Sequence, residues 1–155
     1  MKSFLFCLIG LVLAGCAASP NENSAKPVYG KTNPSPQQKS DAKIKRFASV
    51  IELKPEKEQL YRKLHADVWP EVLAAIKNAN IQNYNIFITK LDGKKYLFSY
   101  LEYTGDDIEK DFASLLEEKT VRKKWLPLTD ACQKVLPSTP EGQQWKPMEM
   151  LMSIP

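Results

Sequence analysis

Tyr61, His65 and Trp69 stand four residues apart in EQLYRKLHADVWPEV, a spacing that lays all three on one face of a helix. His65 is the only histidine of the chain. An imidazole with an ordinary pKa of ~6.5 gives or takes a proton near neutral pH, so it can serve as a general acid or base. A lone helical histidine is more often a satisfied or solvent-facing side chain. Three features weigh against that here: its uniqueness, the ring-bearing polar residues flanking it, and the break at Pro70 just beyond it. Tyr84, on a later strand with Gln82, Ile86 and Ile88 on its side, and Trp125, on a later helix, are further rings that could reach the same place. Taken singly, each is at least as readily explained by core packing. Together the rings would make a pocket suited to a neutral polyol. Sugar CH groups stack on an indole, while phenol and imidazole hydrogen-bond hydroxyls.

Other chemistries lack their residues. Gly105 and Gly142 stand alone, so no glycine-rich phosphate loop is present, and one histidine with one remaining thiol cannot make a tetrahedral zinc site without several carboxylates. No metal or cofactor is expected. The chain has 155 residues with a net charge of +4, but residues 17–46 carry +4 of it while residues 47–155 sum to −1. A basic face for nucleic acid is therefore not expected.

The elements that must hold the rings can be read from periodicity. Residues 46–53 alternate as a strand, with Phe47, Ser49 and Ile51 opposite Ala48, Val50 and Glu52. A helix follows, opened by Pro55, Glu56 and Glu58, with an apolar stripe of Leu60, Leu64 and Val68. A second, from Glu71 to about Asn78, turns Val72, Leu73, Ile76 and Ala79 inward. Strands at Ile81–Thr89 and Lys95–Tyr103 flank Asp92-Gly93, a strong hairpin signal. Asp106 or Asp107 caps a helix through Ile108, Phe112, Leu115 and Leu116, and Thr120 caps the next, through Val121, Trp125 and Leu128 towards Cys132. Met148–Ile154 alternates as a closing strand. The order βαββαβ implies an α+β, ferredoxin-like plan, an antiparallel sheet with helices on one face. The other sheet face needs cover, which a second copy would provide, so a homodimer is expected.

Residues 1–16, MKSFLFCLIGLVLAGC, combine Lys2, a short apolar run from Phe4 to Leu13 and small residues before Cys16. This looks like a bacterial lipoprotein signal peptide, with Cys16 lipidated after cleavage. Cys7 would leave with the signal, so Cys132 would have no disulfide partner. Residues 17–45, rich in Ser, Asn, Pro, Gln and Lys, read as a flexible basic tether. The domain then spans 46–155. These features place the protein in the bacterial cell envelope, at the outer membrane or periplasmic face, touching membrane through the lipid anchor only.

Three stretches, FASVIELKPEKEQLYRKLHADVWPEVLAAIKNANIQNYNIF, YLFSYLEYTGDD and KKWLPLTDACQKVLP, together resemble the L-rhamnose mutarotase family over nearly all of 47–155. The resemblance rests most specifically on Tyr61, His65 and Trp69-Pro70-Glu71. It implies a dimeric α/β-barrel type of ferredoxin-like fold and cofactor-free interconversion of the α and β anomers of L-rhamnose or a related 6-deoxy sugar. It also implies His65 as proton donor and Tyr61 and Tyr84 as sugar contacts. The family's paired tryptophans fall on Lys124 and Trp125; here the first is lysine, so half of that apolar wall becomes an amine. Tyr61 itself, a carboxylate or water remain open as the proton acceptor. Two other functions use the same residues: a non-catalytic deoxysugar-binding lipoprotein, and a small monooxygenase or haem-handling domain with His65 as axial ligand.

The anchor reading predicts that Cys16→Ala yields an unlipidated protein whose domain still folds. After membrane fractionation with a high-salt wash, the variant is expected in the soluble fraction. Continued pelleting with membranes would refute the anchor.

Overall fold

The computed structural model describes residues 26–154; the stretch read as a signal peptide, residues 1–16 with Cys7 and Cys16, lies outside the described residues. The main elements follow the expected order. Strand β1 (Lys45–Leu53) leads through a short 3-10 turn at Pro55–Lys57 into α2 (Glu58–Ala66) and α3 (Pro70–Asn78). The hairpin β2 (Ile81–Leu91) and β3 (Lys94–Tyr103) follows, then α4 (Ile108–Glu117), a π-helical turn at Val121–Trp125, and α5 (Leu126–Ala131). The two-residue strands β4 (Gln133–Lys134) and β5 (Lys146–Pro147) finish the sheet, and a short helix, α1 (Pro36–Ser40), precedes it. The sheet order is β2-β3-β1-β4, antiparallel throughout, with β5 on the same edge of β1 as β4. This is the expected ferredoxin-like α+β arrangement.

The helices pack on one face of the sheet. Register places Phe47, Ser49, Ile51 and Leu53 of β1 opposite Leu101, Ser99, Leu97 and Lys95 of β3. Two apolar clusters form on that face. One gathers Leu64, Val72, Leu101, Tyr103, Phe112, Val121 and Trp125; the other gathers Ile51, Leu53, Tyr61, Leu97 and Cys132. Between them along the strands lies a polar pair, the Ser49 and Ser99 hydroxyls 2.6 Å apart. On the opposite face Val50, Phe98 and Phe87 lie in one cross-strand row, with Phe87 60% exposed.

Strand β2 carries a bulge that its alternation did not reveal. Gln82 pairs with Glu102 and Asn85 with Tyr100, so Asn83 and Tyr84 together oppose Leu101. The phase flips there. Tyr84 therefore shares the helix-side face with Ile86 and Ile88, while Gln82, expected beside them, points to the other face with Glu102. Asn83 takes the left-handed conformation at φ 47°, and its amide donates to the Glu102 carboxylate at 2.7 Å. A left-handed non-glycine residue costs about 1–2 kcal/mol. A hydrogen bond to a charged acceptor contributes about 1.5–3 kcal/mol, enough to hold the bulge in place.

Other expectations are corrected by burial and bonding. Leu60 and Leu73, expected inward, are 37% and 53% exposed, because Tyr61 with Leu64 and Val72 with Ala75 occupy the inward face. Asp107, rather than Asp106, caps α4 by accepting from the Lys110 amide. Thr120 makes no side-chain cap; the Glu118 carboxylate accepts the Val121 amide instead. Met148–Ile154 is not a strand: pairing ends at Pro147, apart from the Met148 amide donating to Ala48. Nor is the stretch expected as tether structureless throughout. Its residues 36–40 form α1 with a Ser35 capping box, the Lys39 ammonium donates to Met150 carbonyl oxygen, and the Ser153 amide donates to Thr32.

Candidate active site

Helix α2 ends just after His65 because the residue before a proline is pushed out of the helical region; Trp69 is extended at ψ 141°, and Pro70 starts α3. That break brings Trp69 back toward the helix formed by residues 121–131. The π-helical turn has its own cause. The Leu126 amide bonds to Val121, five residues back, and Pro127 has no amide with which to resume ordinary winding. Trp125 sits on this turn.

The result is a chain of rings. Tyr61 stacks on His65 with centroids 4.1 Å apart and planes 23° from parallel. His65 meets Trp125 at 5.1 Å, and Trp125 meets Trp69 edge-on at 5.4 Å. Tyr61 belongs to one core cluster and Trp125 to the other, so His65 bridges the gap between them. Each ring contact contributes about 0.5–1.5 kcal/mol beyond burial, which is enough to favour one ring orientation.

His65 is further fixed by a hydrogen bond. Its Nδ1–H donates to the Tyr61 carbonyl oxygen at 2.9 Å, the only role open to a ring nitrogen facing a carbonyl. The neutral ring is thereby the Nδ1–H tautomer, and Nε2 keeps its lone pair. Burial pulls the His65 pKa below its ordinary 6.5, with the hydrogen bond to Tyr61 opposing part of that effect. Burial pushes the Tyr61 phenol far above its ordinary 10, and the neighbouring Tyr84 adds to the rise, while Gln133 beside it pulls the other way. Tyr61 is thus a hydrogen-bond donor and not a base at any ordinary pH.

Of the residues singled out in the sequence, Tyr61, His65, Trp69 and Trp125 form one continuous ring cluster, and Tyr84 lies close enough to Tyr61 to act on its phenol. Lys124 stays outside it, exposed on the π-helical turn with no hydrogen bond, ion pair or ring contact among the described residues. Two polar residues of the same neighbourhood were not foreseen, Gln133, which is 5% exposed, and Asp130, half-buried on α5. Their only signal is placement, in TDACQ just past Trp125, where an acid and an amide adjoin the buried Thr129 and Cys132. Among the described residues no group of three or more His, Cys, Asp and Glu side chains could hold a metal ion.

Comparison with known proteins points one way. The sequence model of the L-rhamnose mutarotase family matches residues 46–153. An L-rhamnose mutarotase of Lactiplantibacillus plantarum is 33% identical over 103 residues, 64% of this chain and 93% of that one. One from Oceanobacillus iheyensis is 34% identical over 82 residues, 53% of this chain and 73% of that one. Among solved structures, an L-rhamnose mutarotase from Formosa agariphila overlays with a TM-score of 0.52 at 23% identity, covering 72% of this chain and 99% of that one, a likeness of fold.

Proposed function

The chain belongs to the L-rhamnose mutarotase family and is a carbohydrate isomerase, and from that premise we propose how its own residues interconvert the anomers. The reaction is the exchange of α and β forms of L-rhamnose or a related 6-deoxy sugar. Family membership over residues 46–153 carries this reading, and it favours the isomerase over the haem-handling alternative.

Anomer exchange requires the anomeric hydroxyl to lose its proton while the ring oxygen gains one. The C1–O5 bond then breaks, C1 rotates, and the ring recloses on the other face. We assign proton donation to the ring oxygen to His65 through Nε2, the nitrogen not engaged by Tyr61. The lowered pKa means that little imidazolium exists at neutral pH, but it also makes the imidazolium a stronger acid. The donor form grows as pH falls through the His65 pKa, below 6.5. Tyr61 and Tyr84 hydrogen-bond sugar hydroxyls, and the indoles of Trp125 and Trp69 stack on the sugar's CH face. Lys124 stands at the rim of this wall.

Two further proposals concern assembly and place. A second copy covers the Val50–Phe98–Phe87 row, supported by the 60% exposure of Phe87 on the sheet face opposite the helices. The chain is exported and held in the cell envelope through Cys16, supported by the residue pattern of positions 1–16.

His65→Asn keeps a polar side chain of similar size, so fold and much of the sugar affinity survive. Its anomer exchange rate at saturating sugar is expected to fall about 10²-fold or more, read by saturation-transfer NMR. Trp125→Phe acts mainly on affinity, with a smaller loss at saturation. If wild type exchanges anomers no faster than buffer, the protein is a binder and not an enzyme.

On assembly, sedimentation of residues 17–155 at micromolar concentration is expected to return twice the chain mass, and Phe87→Asp the single mass. A wild-type monomer would remove the dimer.

A further inference from the structure

Strand β2 runs from one core cluster to the other. Ile81 at its start is buried in the cluster that holds Trp125, while Ile86 and Ile88 pack against the cluster that holds Tyr61. Tyr84 lies between them in the chain and on the same face, beside the gap that His65 bridges. A regular strand would not allow this. Ile81 and Tyr84 are three residues apart, and side chains an odd number of residues apart point to opposite faces. The bulge at Asn83–Tyr84 adds one residue, so that Ile81, Tyr84, Ile86 and Ile88 all face the helices.

What holds the bulge lies on the other face of the sheet. Asn80, Asn83, Asp92 and Ser138 are the non-glycine residues with positive φ among the described residues, and only Asn83 lies inside a strand; the others lie in turns. The Asn83 side-chain amide donates to Glu102 Oε2 at 2.7 Å, and its carbonyl oxygen accepts from the Asn85 side-chain amide at 2.7 Å. Glu102 is itself fixed. Gln82 donates to the same carboxylate oxygen at 3.1 Å, and the Tyr100 hydroxyl and the Arg46 guanidinium reach Oε1 at 2.9 Å and 3.4 Å. Glu102 is 8% exposed although it lies on the sheet face away from the helices. With partners on both oxygens the carboxylate has one orientation, and it offers Asn83 one acceptor.

We propose that Glu102 is a positioning residue for the sugar site: by holding Asn83 left-handed from the far face of the sheet, it keeps the bulge that sets Tyr84 beside the ring cluster. This rests on the mutarotase reading, in which Tyr84 hydrogen-bonds a sugar hydroxyl, and it adds how that contact is held. Glu102 touches no sugar and moves no proton. Its effect is on affinity, because it fixes Tyr84 before the sugar arrives; without it, binding must supply that ordering. If the bulge relaxes, the strand can turn either Ile81 or Tyr84 toward the helices, but not both.

The test is KM and kcat for L-rhamnose anomer exchange in the full chain, read by saturation-transfer NMR. Glu102→Ala is expected to raise KM roughly tenfold, the scale of one lost hydrogen bond, and no more than Tyr84→Ala does. Its kcat is expected to stay within about threefold of wild type, since no proton-transfer group is touched. Added to Tyr84→Ala, Glu102→Ala is expected to raise KM no further, because the residue it positions is gone. Asn83→Gly added to Glu102→Ala is expected to restore KM to within about threefold of wild type, because glycine takes the left-handed conformation unaided.

Gln82 and Asn83 are exposed, so amides released in Glu102→Ala turn to water and the fold survives, which a circular dichroism melt checks. Asn83→Val strikes the same bulge from its other partner, since a β-branched residue is strained at positive φ, and is expected to raise KM in the same way. A wild-type KM in Glu102→Ala, an effect that adds to that of Tyr84→Ala, or no recovery with Asn83→Gly overturns the assignment. A wild type that exchanges no faster than buffer overturns the mutarotase reading and this inference with it. A KM that rises in Tyr84→Ala but not in Glu102→Ala overturns this inference alone.

Discussion

The hydrogen bond from His65 Nδ1–H to the carbonyl of Tyr61, one helical turn back, is the constraint on which the site depends. It sets the tautomer, frees Nε2, and orients the imidazole so that Tyr61 stacks on it and Trp125 packs against it at a tilt. A rotated imidazole would forfeit the hydrogen bond and these ring contacts together. The surrounding fold serves that geometry. Pro70 ends the helix soon enough for Trp69 to turn back, and Pro127 forces the wider winding that carries Trp125.

Burial acts in opposite directions on bases and acids here. It lowers the pKa of His65, because it disfavours the imidazolium, and it raises that of the half-buried Asp130 to about 6, because it disfavours the carboxylate. It removes Tyr61 from titration and leaves it a donor. None of this improves stability. Protonating His65 costs stability as pH falls from 6.5 through its lowered value, and ionising Asp130 costs stability as pH rises. Such conflicts between local preference and fold concentrate where a protein acts on a ligand.

Much of this was legible in the sequence, for reasons that differ by element. The hairpin, the βαββαβ order and the face shared by Tyr61, His65 and Trp69 follow from turn chemistry and helical period, which are local. The bulge at Asn83–Tyr84 was not legible. It depends on Glu102, nineteen residues away, holding Asn83 in a left-handed conformation, and it moves Gln82 off the face where strict alternation placed it. The final segment 148–154 alternates like a strand but finds no partner beyond Pro147, since pairing requires an available edge and alternation alone does not supply one. The inward stripe of α2 was half right. Tyr61, polar at its tip, displaced Leu60 from the core because its ring is needed against His65.

The orientation and charge of His65 can be measured directly by ¹H–¹⁵N NMR of its imidazole across a pH series, and the ring is unambiguous because the chain has one histidine. At pH 7 the two nitrogens are expected to differ, with Nδ1 carrying the proton and Nε2 unprotonated, and the midpoint of titration is expected below 6.5. A proton on Nε2 at pH 7, or a midpoint at or above 6.5, would contradict the account at its foundation.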